Sequence, residues 1–361
     1  MSEDAWVEFC EELKRAGRVM LRESTPKDDL TQAEGYRHLA RLAHMGFMAG
    51  FELADTQRPR IVPAVSETML GEGETSDARY HHAFIDGRAT YRVRGTRGTA
   101  PFIEFTVYAG KIGMQDTSRQ VGYLLEGDMR VEADGRFEVV IGPDEHPRNW
   151  IRTEPDASML FIRQYAHDWS KTRGATFEIA RDGEIAPESP LRLEQVRAGL
   201  SRSAAFVDRA VHFWAAIVDQ RAQAPPNVFF EIPADPDPKR PTMPVGHRFA
   251  AGYFRLAADE ALEVHFRPSD VPYWGLDLTN YWFEPLSYGD HRANVNNHRV
   301  QLEKDGSVRV VIGGSSGGAT NWMDTRGHRE GTMLFRWSRN ELPVPKLDVR
   351  VFKLSELSAK R

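Results

Sequence analysis

The stretch DGRFEVVIGPDEHPRNWIRTEPDASMLF, residues 134–161, returns in the second half of the chain as DGSVRVVIGGSSGGATNWMDTRGHREGTMLF, residues 305–335. In the first copy Asp134-Gly135 precedes Val139-Val140-Ile141-Gly142, then Asn149-Trp150, Thr153 and Met159-Leu160-Phe161. In the second, Asp305-Gly306 precedes Val310-Val311-Ile312-Gly313, Asn321-Trp322, Thr325 and Met333-Leu334-Phe335. An Asp-Gly pair beside apolar runs signals a hairpin turn, so each copy reads as turn, strand, loop, Trp-bearing corner and returning strand. Ordered blocks recurring at matched spacing point to a duplicated unit. The expected fold is mainly β with helical additions, an α+β protein of duplicated antiparallel β-sandwich-like units with N-terminal helices and a central helix. Asn is expected to satisfy loop backbone groups and Trp to pack over the sheet, so the Asn-Trp pairs read as structural.

Outward from the repeat, further strands are legible at residues 90–94 and 102–108, where polar and apolar residues alternate. Two helices open the chain. The first spans residues 6–21, with Trp6, Phe9, Cys10, Leu13 and Val19 at helical spacing. The second starts at Asp28 or Asp29, after Pro26, and carries Tyr36, Leu39, Leu42, Ala43, Phe47 and Phe51. Residues 58–77 read as a loop with no sustained period. A third helix over residues 191–220 bears a broad apolar stripe including Leu200, Val207, Ala210 and Trp214. The Pro-rich run 225–244 stops it and reads as a surface linker or strap. The chain thus divides into N-terminal helices (1–57), a first β-unit (58–185), a helix with a Pro-rich linker (186–246) and a second β-unit (247–361).

Composition narrows the function. With 361 residues, 41% hydrophobic and 27% charged, the chain can build two sizeable cores. A net charge of −5 argues against a nucleic-acid or anionic-membrane binder, which needs a basic field. The start Met1-Ser2-Glu3-Asp4 is acidic where a secretory signal is basic, and no apolar run approaches a membrane span, so a cytoplasmic location is expected. The single Cys10 excludes an internal disulfide and is expected to pack as an apolar side chain.

The second β-unit resembles the bacterial family of unknown function numbered 1214. Tyr273-Trp274, the Asn-rich stretch 294–298, the Asp305-Gly306-Ser307 turn, Asn321-Trp322 and Leu334-Phe335-Arg336 carry the resemblance. Residues 80–169 are similar to the companion domain numbered 1254. Where members of the family tend to follow Asn-Trp with Leu-Pro, this chain has Met323-Asp324. The resemblance implies mostly antiparallel β-structure in two sandwich-like parts with helical additions; it brings no catalytic residue.

Read for chemistry, Gly313-Gly314-Ser315-Ser316-Gly317-Gly318 matches G-x-S-x-G, but no helix follows it and the first copy has no Ser there, so a hairpin loop is expected. His81-His82, His265, His291 and His298 do not have metal-site spacing, and neither a metal nor a cofactor is expected. The densest polar and aromatic segment is 272–298. His291, Asp290 and Glu284 are its acid–base candidates, and Tyr273, Trp274, Asn280, Tyr281, Trp282, Tyr288 and Asn296 its ligand-binding candidates. Arg163 and His167, on one face of a strand with Tyr165, are added as an anion-binding pair. Two functional readings stay open beside a purely structural assembly, which would show an exposed apolar face instead of a pocket. One is an enzyme acting on a ring-bearing substrate (steroid, aromatic or sugar-like) in a pocket between the β-units. The other is a non-catalytic glycan- or lipid-ligand-binding β-sandwich. Both expect a small-molecule partner, no nucleic acid and no membrane, and both are compatible with a homo-oligomer.

Overall fold

A computed structural model describes residues 4–66, 68–110, 119–187, 190–233, 243–338 and 342–358. The first β-unit holds β1 (Val62–Pro63), β2 (Ala78–Phe84), β3 (Tyr91–Thr96), β4 (Phe102–Ala109), β5 (Arg119–Leu125), β6 (Arg136–Gly142), β7 (Trp150–Arg152), β8 (Ala157–Tyr165) and β9 (Glu178–Arg181). The second holds β10 (Phe229–Glu231), β11 (His247–Arg255), β12 (Glu260–Phe266), β13 (Tyr273–Thr279), β14 (Asn294–Asn296), β15 (Val308–Gly313), β16 (Trp322–Asp324), β17 (Glu330–Ser338) and β18 (Asp348–Lys353). The first unit has sheets β1-β2-β8-β4-β5 and β7-β6-β3-β9; the second has β10-β11-β17-β13-β14 and β16-β15-β12-β18. Adding nine to each strand of the first unit gives the second, so the duplication extends to the whole strand order. Even the parallel pairs correspond, β6 with β7 and β15 with β16.

Each unit is a sandwich because strand alternation puts one face of both its sheets inward. In the first, Tyr91, Val93, Val139 and Ile141 meet Ile103, Phe105, Leu160 and Ile162. In the second, Leu262, Val264, Val310 and Ile312 meet Trp274, Leu276, Phe335 and Trp337. The Asn-Trp corners do the same work twice. Asn149 accepts from Arg130 N and donates to the carbonyls of Arg130 and Glu138, while Trp150 Nε1 donates to Gly142 O. Asn321 accepts from Gln301 N and donates to Gln301 and Arg309 carbonyls, while Trp322 Nε1 donates to Gly313 O. Asn321→Ala removes all three bonds to partly buried backbone groups, so a loss of about 1–2 kcal/mol is expected in urea unfolding. Asn149→Ala should behave alike, and the double variant should lose their sum to within about 0.5 kcal/mol, because the corners share no partner.

The helices cover the second unit. α1 (Ala5–Ala16) continues as a 3₁₀ turn, Gly17–Leu21, and α2 (Asp29–Phe47) as a π turn, Met48–Glu52. α3 runs Leu193–Gln223 and α4 Leu354–Ser358. Asp4 and Asp28 cap the first two by accepting from Trp6 N and Thr31 N. Leu42, Val207, Val211 and Val218 pack on Ala251, Tyr253 and Leu334, the outer face of the β11–β17 sheet. α2 approaches α3 closely enough that a Cβ at Gly46 would lie 2.8 Å from Ser203 O. Among the described residues no helix is long and apolar enough to cross a membrane.

Three expectations need correction. Cys10 is exposed, because Phe9 and Ala16 define the buried face of α1 and Cys10 lies about 100° around the helix from Phe9. The Pro-rich run contains a strand: β10 pairs with β11 as an edge strand, which prolines flanking it allow. The rest of that run, 234–242, lies outside the described residues. The loop 58–77 contains β1 and, as shown next, much more.

Candidate functional site

The two five-stranded sheets turn their outer faces toward each other, and a buried polar layer fills the junction. Its organiser is the segment Gly71-Glu72-Gly73-Glu74-Thr75-Ser76-Asp77 between β1 and β2. Asp77 is fully buried and accepts from Tyr273 Oη (3.0 Å), Asn296 Nδ2 (3.0 Å) and Arg299 Nη1 (2.8 Å). Its carbonyl accepts from Ala166 N and Trp169 Nε1. Beside it Arg336 donates to Asp277 and to Gly73 O. Burial raises the Asp277 carboxyl to about 6 even though Arg336 opposes the shift. A third group sits on the first unit's sheet, where Arg163 donates to Glu104 (2.9 Å) and Tyr108 Oη (3.1 Å). Glu104 also meets His247 Nε2 at 3.0 Å, and His247 Nδ1 meets Ser338 Oγ at 2.7 Å.

The fourth group combines acids and bases. Glu284 Oε1 receives Arg41 Nη1 at 2.8 Å and lies 3.3 Å from His38 Nδ1. The other imidazole nitrogen, Nε2, lies 3.6 Å from Glu72 Oε1. Asn280 braces the turn, accepting from Trp282 N and Glu284 N while donating to Glu34 at 2.9 Å. Glu34 in turn meets His328 Nε2 at 2.8 Å. Burial, with Glu74 and Glu284 nearby, pushes Glu72 well above the usual carboxylate range, and burial raises Glu74 to about 8. Glu284 goes the other way: burial would raise it, but His38 and Arg41 outweigh burial and hold it below its ordinary value.

The sequence candidates are distributed among these groups. Glu284 joins His38 and Glu72; His291 lies 3.9 Å from Asp77, half-buried and with φ of 54°; Asp290 is at the surface, paired with Arg326. The three therefore face different partners. Tyr273 and Asn296 converge on Asp77, and the His167 carbonyl accepts from Asn296 and Arg299. His167's own ring stacks on His298, and burial lowers its basicity. Arg163 holds an anion of the chain itself, Glu104. Trp274 is core; Tyr281 bonds Asp219, Trp282 bonds Thr31 O and Tyr288 bonds Ala78 O. His81 and His82 are shifted down to about 4, by burial first, and among the described residues no group of three His, Cys, Asp or Glu could hold a metal. In the Gly-Ser loop, the hydroxyls of Ser315 and Ser316 accept from the backbone N–H groups of Gly317 and Gly318 of the same turn. Sequence analysis did not single out His38, Glu72, Glu74 or Asp77; for the last three the signal was a run of carboxylates with no basic residue among them.

An open groove of about 630 Å³ lies elsewhere on the junction, between Tyr123, Trp150 and Arg152 of the first unit and Ile232, Arg248 and Phe249 of the second. None of the sequence candidates lines it.

A family model described as protein of unknown function (DUF1214) matches residues 75–168. An uncharacterised protein from Burkholderia cenocepacia is 32% identical over 98% of this chain and 97% of its own, with a TM-score of 0.91. The chain belongs to the DUF1214 family. The family match falls on the first β-unit, where the companion 1254-like domain was expected, and that companion is not shown. The matched residues bring Asp77, Glu104 and Arg163 into the family segment. A Vibrio parahaemolyticus protein aligns over 94% of this chain and 100% of its own at 7% identity and a TM-score of 0.44, too distant to carry the argument further. No curated protein matches the chain.

Proposed function

We propose that the protein processes a small molecule by general acid–base chemistry where Glu72, His38 and Glu284 meet, between the loop of the first β-unit and the turn of the second. The observation that carries this reading is one imidazole spanning two carboxyls that burial and charge push in opposite directions. Such separation is how a single site offers an acid and a base at one pH. Glu72 holds its proton and can donate it; Glu284 is ionised. His38 turns Nδ1 to Glu284 and Nε2 to Glu72, so the ring links the proton-holding carboxyl to the ionised one.

Incubating a small-molecule extract with the wild-type protein and with Glu72→Gln, followed by mass spectrometry, tests the reading. A compound consumed by the wild type should be turned over about 10²–10⁴-fold more slowly by the variant, which keeps shape but has no proton to give. Equal turnover by both would rule out Glu72 as the acid. An extract left unchanged by the wild type would favour the second reading, a binding protein without turnover. That reading is supported by the groove, whose volume suits a small molecule and whose Trp150, Tyr123 and Phe249 offer ring faces.

A further inference from the structure

Arg221, in the last turn of α3, is a buried cation that its described surroundings leave electrically unbalanced. The residue is 8% exposed, its guanidinium carbon lies 4.4 Å from the centre of the Phe283 ring, and its Nη1 is buried without a hydrogen-bond partner. No carboxylate among the described residues is within ion-pairing distance of it. Its nearest strong electrostatic neighbour is another cation, Arg336, and burial first and Arg336 second lower its basicity to about 10. Arg336 already has Asp277 as its counter-charge. Glu74, which also faces Arg336, is kept protonated at neutral pH by burial and so cancels nothing. Two neighbouring carboxyls repeat the pattern, since Glu72 Oε1 and Glu74 Oε2 are buried and lack hydrogen-bond partners.

A buried guanidinium is retained when something pairs with it. Stacking on Phe283 occupies the face of the guanidinium and leaves its N–H edge free, the edge that grips a carboxylate through two parallel bonds. We propose that the site takes a small organic carboxylate, the anion seated on the N–H edge of Arg221. This names the substrate class of the acid–base site and rests on that reading. A carboxylate there balances the extra positive charge.

Calorimetric titration with benzoate and with its uncharged isostere benzamide tests the proposal. Benzoate should bind the wild type at least about tenfold more tightly, as a charge-assisted bidentate contact requires. Arg221→Met should abolish that preference. It should also melt no lower than the wild type, because it removes a buried charge that has no partner. If the Met variant fails to fold, Arg221→Gln serves in its place. Equal binding of the two ligands, no binding of either, or a preference that survives replacement of Arg221 would each overturn the proposal. The Glu72→Gln variant should keep the preference for benzoate. Loss of turnover with retained preference separates the acid–base chemistry from anion recognition, so failure of one leaves the other measurable.

Discussion

Asp77→Ala is expected to lose about 3–5 kcal/mol of stability, the cost of removing one partner from a buried, hydrogen-bonded charge network. The carboxylate is fully buried and takes a tyrosine hydroxyl, an asparagine amide and a guanidinium, all from the second unit, while its own backbone belongs to the first. Removing it strands the hydroxyl of Tyr273 and leaves Arg299 with carbonyl and amide oxygens alone. Against a typical total of about 5–15 kcal/mol, such a loss is a large fraction. Asp77→Asn should be little better, because an amide nitrogen would face donors already pointing at that position. Urea unfolding followed by tryptophan fluorescence and by circular dichroism provides the readout. If Asp77 joins the units, the two signals should separate in the Ala variant, one unit opening before the other. A loss below about 1 kcal/mol with coincident curves would mean that the remaining contacts hold the units together without it.

What the sequence made legible was local, and what it hid was long-range. The Asp-Gly turns, the apolar alternation and the Asn-Trp corners are written within some thirty residues of one another, whereas the order of the strands in the sheets was not read from them. Helix starts were readable because Asp4 and Asp28 cap their own first turns. β10 was hidden because prolines flank Val228-Phe229-Phe230-Glu231-Ile232, and their presence outweighed the alternation between them. The site divides the same way. Glu284 stood out in the dense segment 272–298, but its partners His38 and Glu72 lie more than two hundred positions upstream, and neither the helix period of α2 nor the composition of the loop 58–77 ties them to it. Aromatics in the dense segment were a weaker guide, since Trp274 and Trp282 serve packing and backbone hydrogen bonds.

Glu74→Gln is expected to stabilise the protein at neutral pH by an amount on the order of 3 kcal/mol, and above all to change how stability depends on pH. The Glu74 carboxyl moves from an ordinary 4.5 to about 8 in the folded chain, because burial penalises its charge more than Arg336 and Arg163 favour it. The folded state therefore keeps a proton that the unfolded state releases. Below pH 4.5 both states are protonated and Glu74 costs nothing; from there stability falls by up to about 1.4 kcal/mol per pH unit until, past about 8, both are ionised and the loss is complete. Asp277, raised to about 6, adds to the decline over a lower window. Glutamine has no proton to release, so the difference between variant and wild type should be small near pH 4.5 and grow steadily towards 8. Melting temperatures across that range measure it, and parallel curves would mean that Glu74 is ionised in the folded protein. The same titration bears on ligand recognition. While Glu74 is neutral, Asp277 pairs with Arg336 and no described carboxylate pairs with Arg221, so an incoming anion completes the balance. Once Glu74 ionises, the chain supplies that negative charge itself, so the affinity for benzoate should weaken as pH rises through about 8, and Glu74→Gln should remove that weakening.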